Sequence, residues 1–151
     1  MVDISNYELI HATNNDCDLV FKWANDKDVR LNSFNSKPIK YEDHKEWFKN
    51  KIESNDSIIY LFKAYGDKVG LIRLDKIESN TYVINYNIAK EHRGKGHATN
   101  LLKLIKDIYK SSLLIGKVKK DNIGSVKAFL KAGYRMEEEL DIYVFYSFAK
   151  E

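Results

Sequence analysis

One cysteine, one proline and seven glycines in 151 residues remove several classes of protein at once. Cys17 alone can form neither an intramolecular disulfide nor a cysteine-based metal site. No apolar stretch approaches the roughly 20 residues of a membrane-spanning helix. The start, Met1-Val2-Asp3-Ile4-Ser5, lacks the charged-then-apolar pattern of a secretory signal, so the expected location is the cytoplasm. Pro38 and the scattered glycines leave no linker, repeat or low-complexity tract, and residues 1–151 read as a single domain. The net charge of +3 falls short of a nucleic-acid footprint, while it suits an anionic small molecule. What is present is ordinary for a globular domain: 44% hydrophobic and 31% charged residues, with ten Tyr and seven Phe to supply amphipathic surface.

Periodicity gives an alternation of strands and helices. Tyr7 to Ala12 is β-prone, and Asp16 to Asn25 carries Leu19, Val20 and Trp23 at helical spacing. The chain loops around Pro38, and a second helix is expected from Tyr41 to about Ser54, with His44, Trp47, Phe48 and Ile52 on one face. Ser57 to Ala64, a turn at Gly66-Asp67, and Lys68 to Leu74 make a hairpin. Thr81 to Ile88 is a strand, Leu101 to Tyr109 a packed helix, Leu113 to Val118 a strand, and Asn122 to Lys131 a helix ending at Gly133. Tyr134 to Leu140 and Ile142 to Phe148 form a final hairpin. The order predicts an α/β (α+β) fold, a mixed sheet with helices on both faces.

The segment between the Thr81 to Ile88 strand and the next helix, Arg93-Gly94-Lys95-Gly96-His97-Ala98, carries the chemistry. Small residues at Gly94, Gly96 and Ala98 let backbone amides approach an anion. The unpaired N–H groups of the first helical turn then face it, aided by the helix dipole, and Arg93 and Lys95 add charge. A plain glycine turn under a solvated basic cap is the competing reading. A Walker loop is excluded, because no Gly-Lys-Ser or Gly-Lys-Thr occurs.

Arg93-x-x-Gly96-x-Ala98 between strand and helix resembles the acetyl-CoA loop of the GNAT acetyltransferase superfamily. Asn122-x-x-Ser125 after the next strand, Lys131-Ala132-Gly133-Tyr134 at the following helix end, and a closing hairpin agree in order, so the resemblance spans residues 7–148. It implies a mostly antiparallel central sheet of about seven strands, splayed between the fourth and fifth. Acetyl-CoA would lie in that splay against Ile88, the Arg93 to Ala98 loop (His97 included), Asn122, Ser125 and Phe129. Direct attack by an amine would follow, with the Ile88 N–H polarising the thioester and positioning supplying much of the rate. A CoA-binding domain without turnover is the reading of a different class.

Two family positions differ. Many members carry a Tyr where this chain has Phe129, implied to protonate the leaving thiolate; here the acid is another group, a water, or nothing. The strand before the loop offers Asn85, Tyr86 and Asn87 where a Glu often serves as base, so Asn87 either holds a relay water or is plain strand polarity.

Residues 19–48, with Trp23-Ala24-Asn25-Asp26, Val29-Arg30, Ser33-Phe34, Ile39 and His44-x-x-Trp47-Phe48, resemble the N-terminal half of pseudaminic-acid-type sugar-nucleotide N-acetyltransferases, as does Gly70-Leu71-Ile72-Arg73-Leu74-Asp75. That implies transfer to the 4-amino group of a UDP-linked amino sugar. Arg30 and Arg73 would meet the diphosphate or uracil, Trp47 or Phe48 would stack on a sugar or base, and His44 would act as base or acceptor ligand. Against this stand core tryptophans and a structural histidine. A protein N-terminus or small amine is the alternative acceptor. His92 and His97 are expected in solvent, Cys17 in the core, and Glu137-Glu138-Glu139 on a solvated edge. No metal site is expected, and the last strand offers a surface for a homodimer.

Overall fold

The computed structural model describes residues 6–148, so the expectation drawn from Met1 to Ser5 lies outside the described residues. In chain order it contains β1 (Tyr7–His11), α1 (Cys17–Ala24), α2 (Lys27–Asn32), α3 (Tyr41–Glu53), β2 (Ser57–Ala64), β3 (Asp67–Glu78), β4 (Thr81–Ile88), α4 (His97–Ile108), β5 (Leu113–Lys119), α5 (Ile123–Lys131), β6 (Arg135–Glu138) and β7 (Ile142–Tyr146). Single 3-10 turns sit at Asn14–Asp16 and Lys90–His92.

The seven strands form one sheet in the order β1-β2-β3-β4-β5-β7-β6, antiparallel except for the β4–β5 pair. Strand alternation divides the core between two faces. Phe62, Ile72, Leu74, Ile84 and Ile88 point to one side, where they pack with Leu101, Leu102 and Ile105 of α4 and Ala128 and Phe129 of α5. Ile59, Leu61 and Leu71 point to the other, against Val20 and Trp23 of α1 and Phe48 of α3. Helices therefore cover both faces, as the patterning predicts.

The β4–β5 pairing runs only from Thr81↔Leu113 to Ile84↔Gly116. Beyond that point the parallel strands part, and Asn85 to Ile88 have no ladder partner on the β5 side. A V-shaped opening results, its vertex at Ile84 and Gly116. A Cβ on Gly116 would overlap the Phe129 ring, so glycine there lets α5 lie close across the vertex.

Beyond shifted strand ends, with β3 running on to Glu78 and β6 confined to Arg135–Glu138, three elements differ from the sequence reading. α4 begins at His97 rather than Leu101, because the helix starts directly after Gly96 and its first turn carries little apolar signal. The short helix α2 was not expected, and it buries none of its own residues. The final strand, β7, lies between β5 and β6, so the edge at that end of the sheet belongs to β6, whose four residues are all exposed.

Candidate active site

The loop after β4 is shaped by two left-handed residues, Gly94 (φ 77°) and Gly96 (φ 81°), a conformation that costs any residue with a Cβ about 1–2 kcal/mol. Gly96 is the N-cap of α4, and no side chain caps that helix. The first intrahelical bond is Asn100 N–H to the Gly96 carbonyl. The N–H groups ahead of it are left for an anion, the arrangement a diphosphate needs. Nothing lies within 4 Å of where a Cβ would stand on Gly94 or Gly96, so these residues leave open space beside the amides for the pyrophosphate of acetyl-CoA.

His97 is not in solvent. It is 8% exposed, with its ring edge-on to Tyr7 and Phe62, and its Nδ1 is buried without a hydrogen-bond partner. Burial first, then the neighbouring His92 and Lys95, lowers its pKa and favours a neutral ring. His92 is half-buried beside it, while Lys95 stays exposed.

Arg93 behaves differently from the expected phosphate ligand. Its Nε donates to the Ile88 carbonyl at 2.9 Å, and its two terminal nitrogens pair with Asp28 (3.1 Å) and Asp26 (3.0 Å). Asp26 also caps α2, accepting from the Asp28 and Val29 amides. Burial alone would push the Asp26 carboxyl up, but Arg93 and the two amides outweigh it and hold its pKa below the usual value. At the opposite end of α2, the Lys119 ammonium of β5 donates to the Leu31 carbonyl at 3.1 Å. The helix is thus strapped across the splay by one cation from the loop after β4 and one from β5.

Between the strands, the loop, α5 and α2 lies a cavity of about 570 Å³. Ile84 to Ile88, Arg93, Gly94, Gly96, His97, Ala98, Asn122, Ser125 and Phe129 line it, so most of the expected cofactor residues come together. Asn122 caps α5, its side-chain oxygen accepting from the Ser125 amide at 3.3 Å. Phe129 is 2% exposed and stacks on Phe145 at 4.6 Å, with part of its ring at the cavity floor. The Ala89 N–H bonds to Val69 of β3, so strand alternation turns the Ile88 N–H toward the splay. Asn87 sits on the α1–α3 side with its register partner Leu71, and its side-chain oxygen is buried without a partner.

The expected acceptor residues do not join this cavity. His44 is 3% exposed; its Nε2 lies 3.0 Å from the Cys17 carbonyl, and Phe21, Trp47 and Phe48 surround its ring. Burial lowers its pKa, so it is a neutral core histidine that braces α1 against α3, not a base at the site. Arg30 donates to the Ala24, Asn35 and Lys37 carbonyls and to Ser33 Oγ, bracing the loop before α3 instead of awaiting a diphosphate. Asn25 completes that brace through both the N–H and the carbonyl of Ile39. Arg73 pairs with Asp75 at 2.9 Å and lies 5.2 Å from the centre of the Trp47 ring, which gives both side chains structural partners outside the cavity. Residue types alone do not reveal such partners, which come from elements distant in sequence. The cavity wall toward α2 is instead Asn32, Ser33 and Phe34 within and after that helix, and Asn85 on β4 and Lys117 on β5 also line the cavity. Tyr86, which the strand composition had shown only as a place without a Glu, lies deeper, its hydroxyl 2.8 Å from Ser125 Oγ. Among the described residues no group of three His, Cys, Asp or Glu is placed to hold a metal ion, and no helix is long and apolar enough to cross a membrane.

No curated protein sequence matches the chain. Among solved structures it is similar to the Vibrio cholerae spermidine N-acetyltransferase in complex with CoA and spermine, at 19% identity and a TM-score of 0.84, covering 94% of this chain and 95% of that one. It is likewise similar to the ribosomal-protein α-N-acetyltransferase RimL in complex with CoA, at 14% identity and a TM-score of 0.80, over 94% and 93% of the two chains. At these identities the likeness speaks for the fold. The family model described as an acetyltransferase (GNAT) domain matches residues 7–135. A splayed β4–β5 pair, an uncapped helix start after two left-handed glycines and that match place the chain in the GNAT acetyltransferase family, as an N-acetyltransferase that uses acetyl-CoA.

Proposed function

We propose that this chain acetylates a primary amine on a small acceptor that also carries negative charge, with the 4-amino group of a UDP-linked amino sugar as the specific reading. The observation that carries the amine site is the Asn87 side-chain oxygen, buried at the splay with no partner. A buried acceptor atom left unpaired costs about 1–3 kcal/mol, and an amine N–H, or a water relaying its proton, would relieve that cost. Catalysis then follows from position. The amine stands at Asn87 on one side of β4, and the Ile88 N–H, aimed into the splay, stabilises the charge that grows on the thioester oxygen.

Charge on the acceptor side supports an anionic partner. Lys117 is exposed there, and Phe34, 62% exposed, offers a ring for a base or sugar to stack upon. The Vibrio cholerae enzyme binds the polycation spermine. In this chain the only carboxylate among the described cavity-lining residues is Asp28, already paired with Arg93. A polycation would meet Lys117 with no free acid to hold it. Arg30 and Arg73 lend the nucleotide reading no support, so it rests on Lys117, Phe34 and the likeness of residues 19–48. Assembly through the free β6 edge is the accompanying proposal for a homodimer; one similar structure, a spermidine N-acetyltransferase with a TM-score of 0.76, is dodecameric.

Thiol release from acetyl-CoA, followed with a UDP-4-amino sugar, spermidine and a peptide N-terminus in parallel, tests the reading. Turnover preferring the nucleotide sugar is the expected result. A preference for spermidine would overturn the anionic acceptor, and no release with any amine despite tight CoA binding would overturn turnover itself.

A further inference from the structure

The geometry points to Tyr86 as the acid that protonates the departing CoA thiolate, from the side of the sheet opposite the attacking amine. The inference rests on the acetyl-transfer reading and adds a residue to it.

Adjacent strand residues face opposite ways. Asn87 shares the α1–α3 side with Leu71, whereas Tyr86 packs with the α4–α5 core beside Ile84 and Ile88. Two and three residues past the vertex of the splay, the two side chains therefore bracket the place where a thioester lying between β4 and β5 must react. With the amine reaching the acetyl carbon from the Asn87 side, a proton donor on the Tyr86 side can meet the sulfur without crossing the path of the amine. Tyr86 is the only phenol among the described residues that line the cavity. Lys127 and Lys131 line it too, but both are exposed on α5.

The vertex is also where the expected donor is missing. The Phe129 ring lies edge-on to the Tyr86 ring with centroids 5.9 Å apart. A hydroxyl absent from α5 is thus supplied from β4, one ring away. Burial raises the Tyr86 pKa above the ordinary phenol value, while the Ser125 hydrogen bond pulls the other way. The phenol is accordingly protonated at neutral pH, as an acid must be. With Ser125 Oγ 2.8 Å away, the serine hydroxyl donates to the phenolate that forms.

The step balances. The amine lone pair forms the N–C bond to the acetyl carbon, the C–S bond breaks, and its electron pair goes to sulfur. Sulfur takes the Tyr86 proton, the amine nitrogen loses one proton to solvent, and Tyr86 regains one from solvent. The products are the amide and the free thiol.

Tyr86→Phe tests the assignment with two thioesters. With acetyl-CoA, whose thiol is about as basic as a cysteine (pKa about 8.5), kcat is expected to fall about 100-fold, the low end for general acid catalysis, with KM for acetyl-CoA changed less than about 3-fold. With phenyl thioacetate, whose aryl thiolate leaves without help, wild type and variant are expected to differ less than about 3-fold in kcat/KM. A readout apart from turnover is the thiolate absorbance of bound CoA, which should appear at higher pH in the variant once the phenol no longer donates to sulfur. Equal losses with both donors, or an unchanged kcat with acetyl-CoA, would overturn the role of Tyr86. If the wild-type protein releases no thiol from either donor with any amine, the transfer reading falls and this one with it.

Discussion

Arg93→Met distinguishes a phosphate ligand from a structural clamp. The substitution keeps an apolar stem and removes three interactions. The Asp26 pair is the best shielded, with side-chain exposures of 32% and 16%, and a charge-assisted bond of that kind contributes about 1.5–2 kcal/mol. Asp28 is 60% exposed, so solvent screening limits its pair to ~0.5 kcal/mol. Loss of the donor to the Ile88 carbonyl costs about 1 kcal/mol more. Together these give about 3 kcal/mol, which in a domain of this size lowers Tm by roughly 6–12 °C. Calorimetric unfolding measures that loss, and titration of acetyl-CoA well below the new Tm measures affinity in the folded variant. The clamp predicts a lower Tm, acetyl-CoA affinity within about 3-fold of wild type, and a raised KM for the acceptor as α2 loosens. Asp26→Asn combined with Arg93→Met should cost less than the two separate losses added, since both remove one contact. An unchanged Tm with acetyl-CoA affinity down more than about 10-fold would refute the clamp and return Arg93 to the pyrophosphate.

Asn87→Leu removes a buried acceptor atom that has no partner, so unfolding stability should hold or rise by up to about 1 kcal/mol, while kcat falls at least 10-fold. Denaturant melts and thiol release read the two effects, and wild-type turnover in the variant would refute the amine site. The pH dependence of stability follows from His44, whose folded pKa lies below the ordinary 6.5 because burial disfavours its charged form. Its contribution is therefore present above pH about 6.5 and lost as pH falls from there toward the depressed folded value; His97, shifted the same way, adds to the same slope. His44→Gln should flatten the fall of the melting temperature between about pH 7 and 5 and leave kcat at pH 8 within about 3-fold, whereas a large loss of kcat would restore His44 as a catalytic base.

The donor half of the site was legible because it is local. Thr81 to Ile88 forms β4 with both expected ends, and the glycines, the first turn of α4 and the Asn122 cap follow in one stretch of chain, where spacing determines geometry. The acceptor half depends on contacts made across the fold. α2 is six residues long and buries none of them, so no hydrophobic period could mark it; Asp26 and Arg93, 67 positions apart, hold it in place. Arg30, His44 and Arg73 had suitable chemistry, and only tertiary packing shows them engaged by backbone carbonyls, by Asp75 and by the Trp47 ring. His97 was misplaced for a related reason: a residue beside glycines reads as loop, yet as the first residue of α4 it turns inward onto Tyr7.

The strap over the splay has an evolutionary consequence. Because α2 buries none of its residues and is held by an ion-pair clamp at one end, a backbone carbonyl at the other and the Arg30 brace, its remaining outward and cavity-facing positions carry little of the stability of the sheet. Substitutions at Asn32 or Phe34, both exposed, can thus accumulate without unfolding the domain, as surface changes seldom cost more than about 0.5 kcal/mol. The chain can change which amine it acetylates while the glycines, α4 and the β4–β5 vertex continue to hold the same donor.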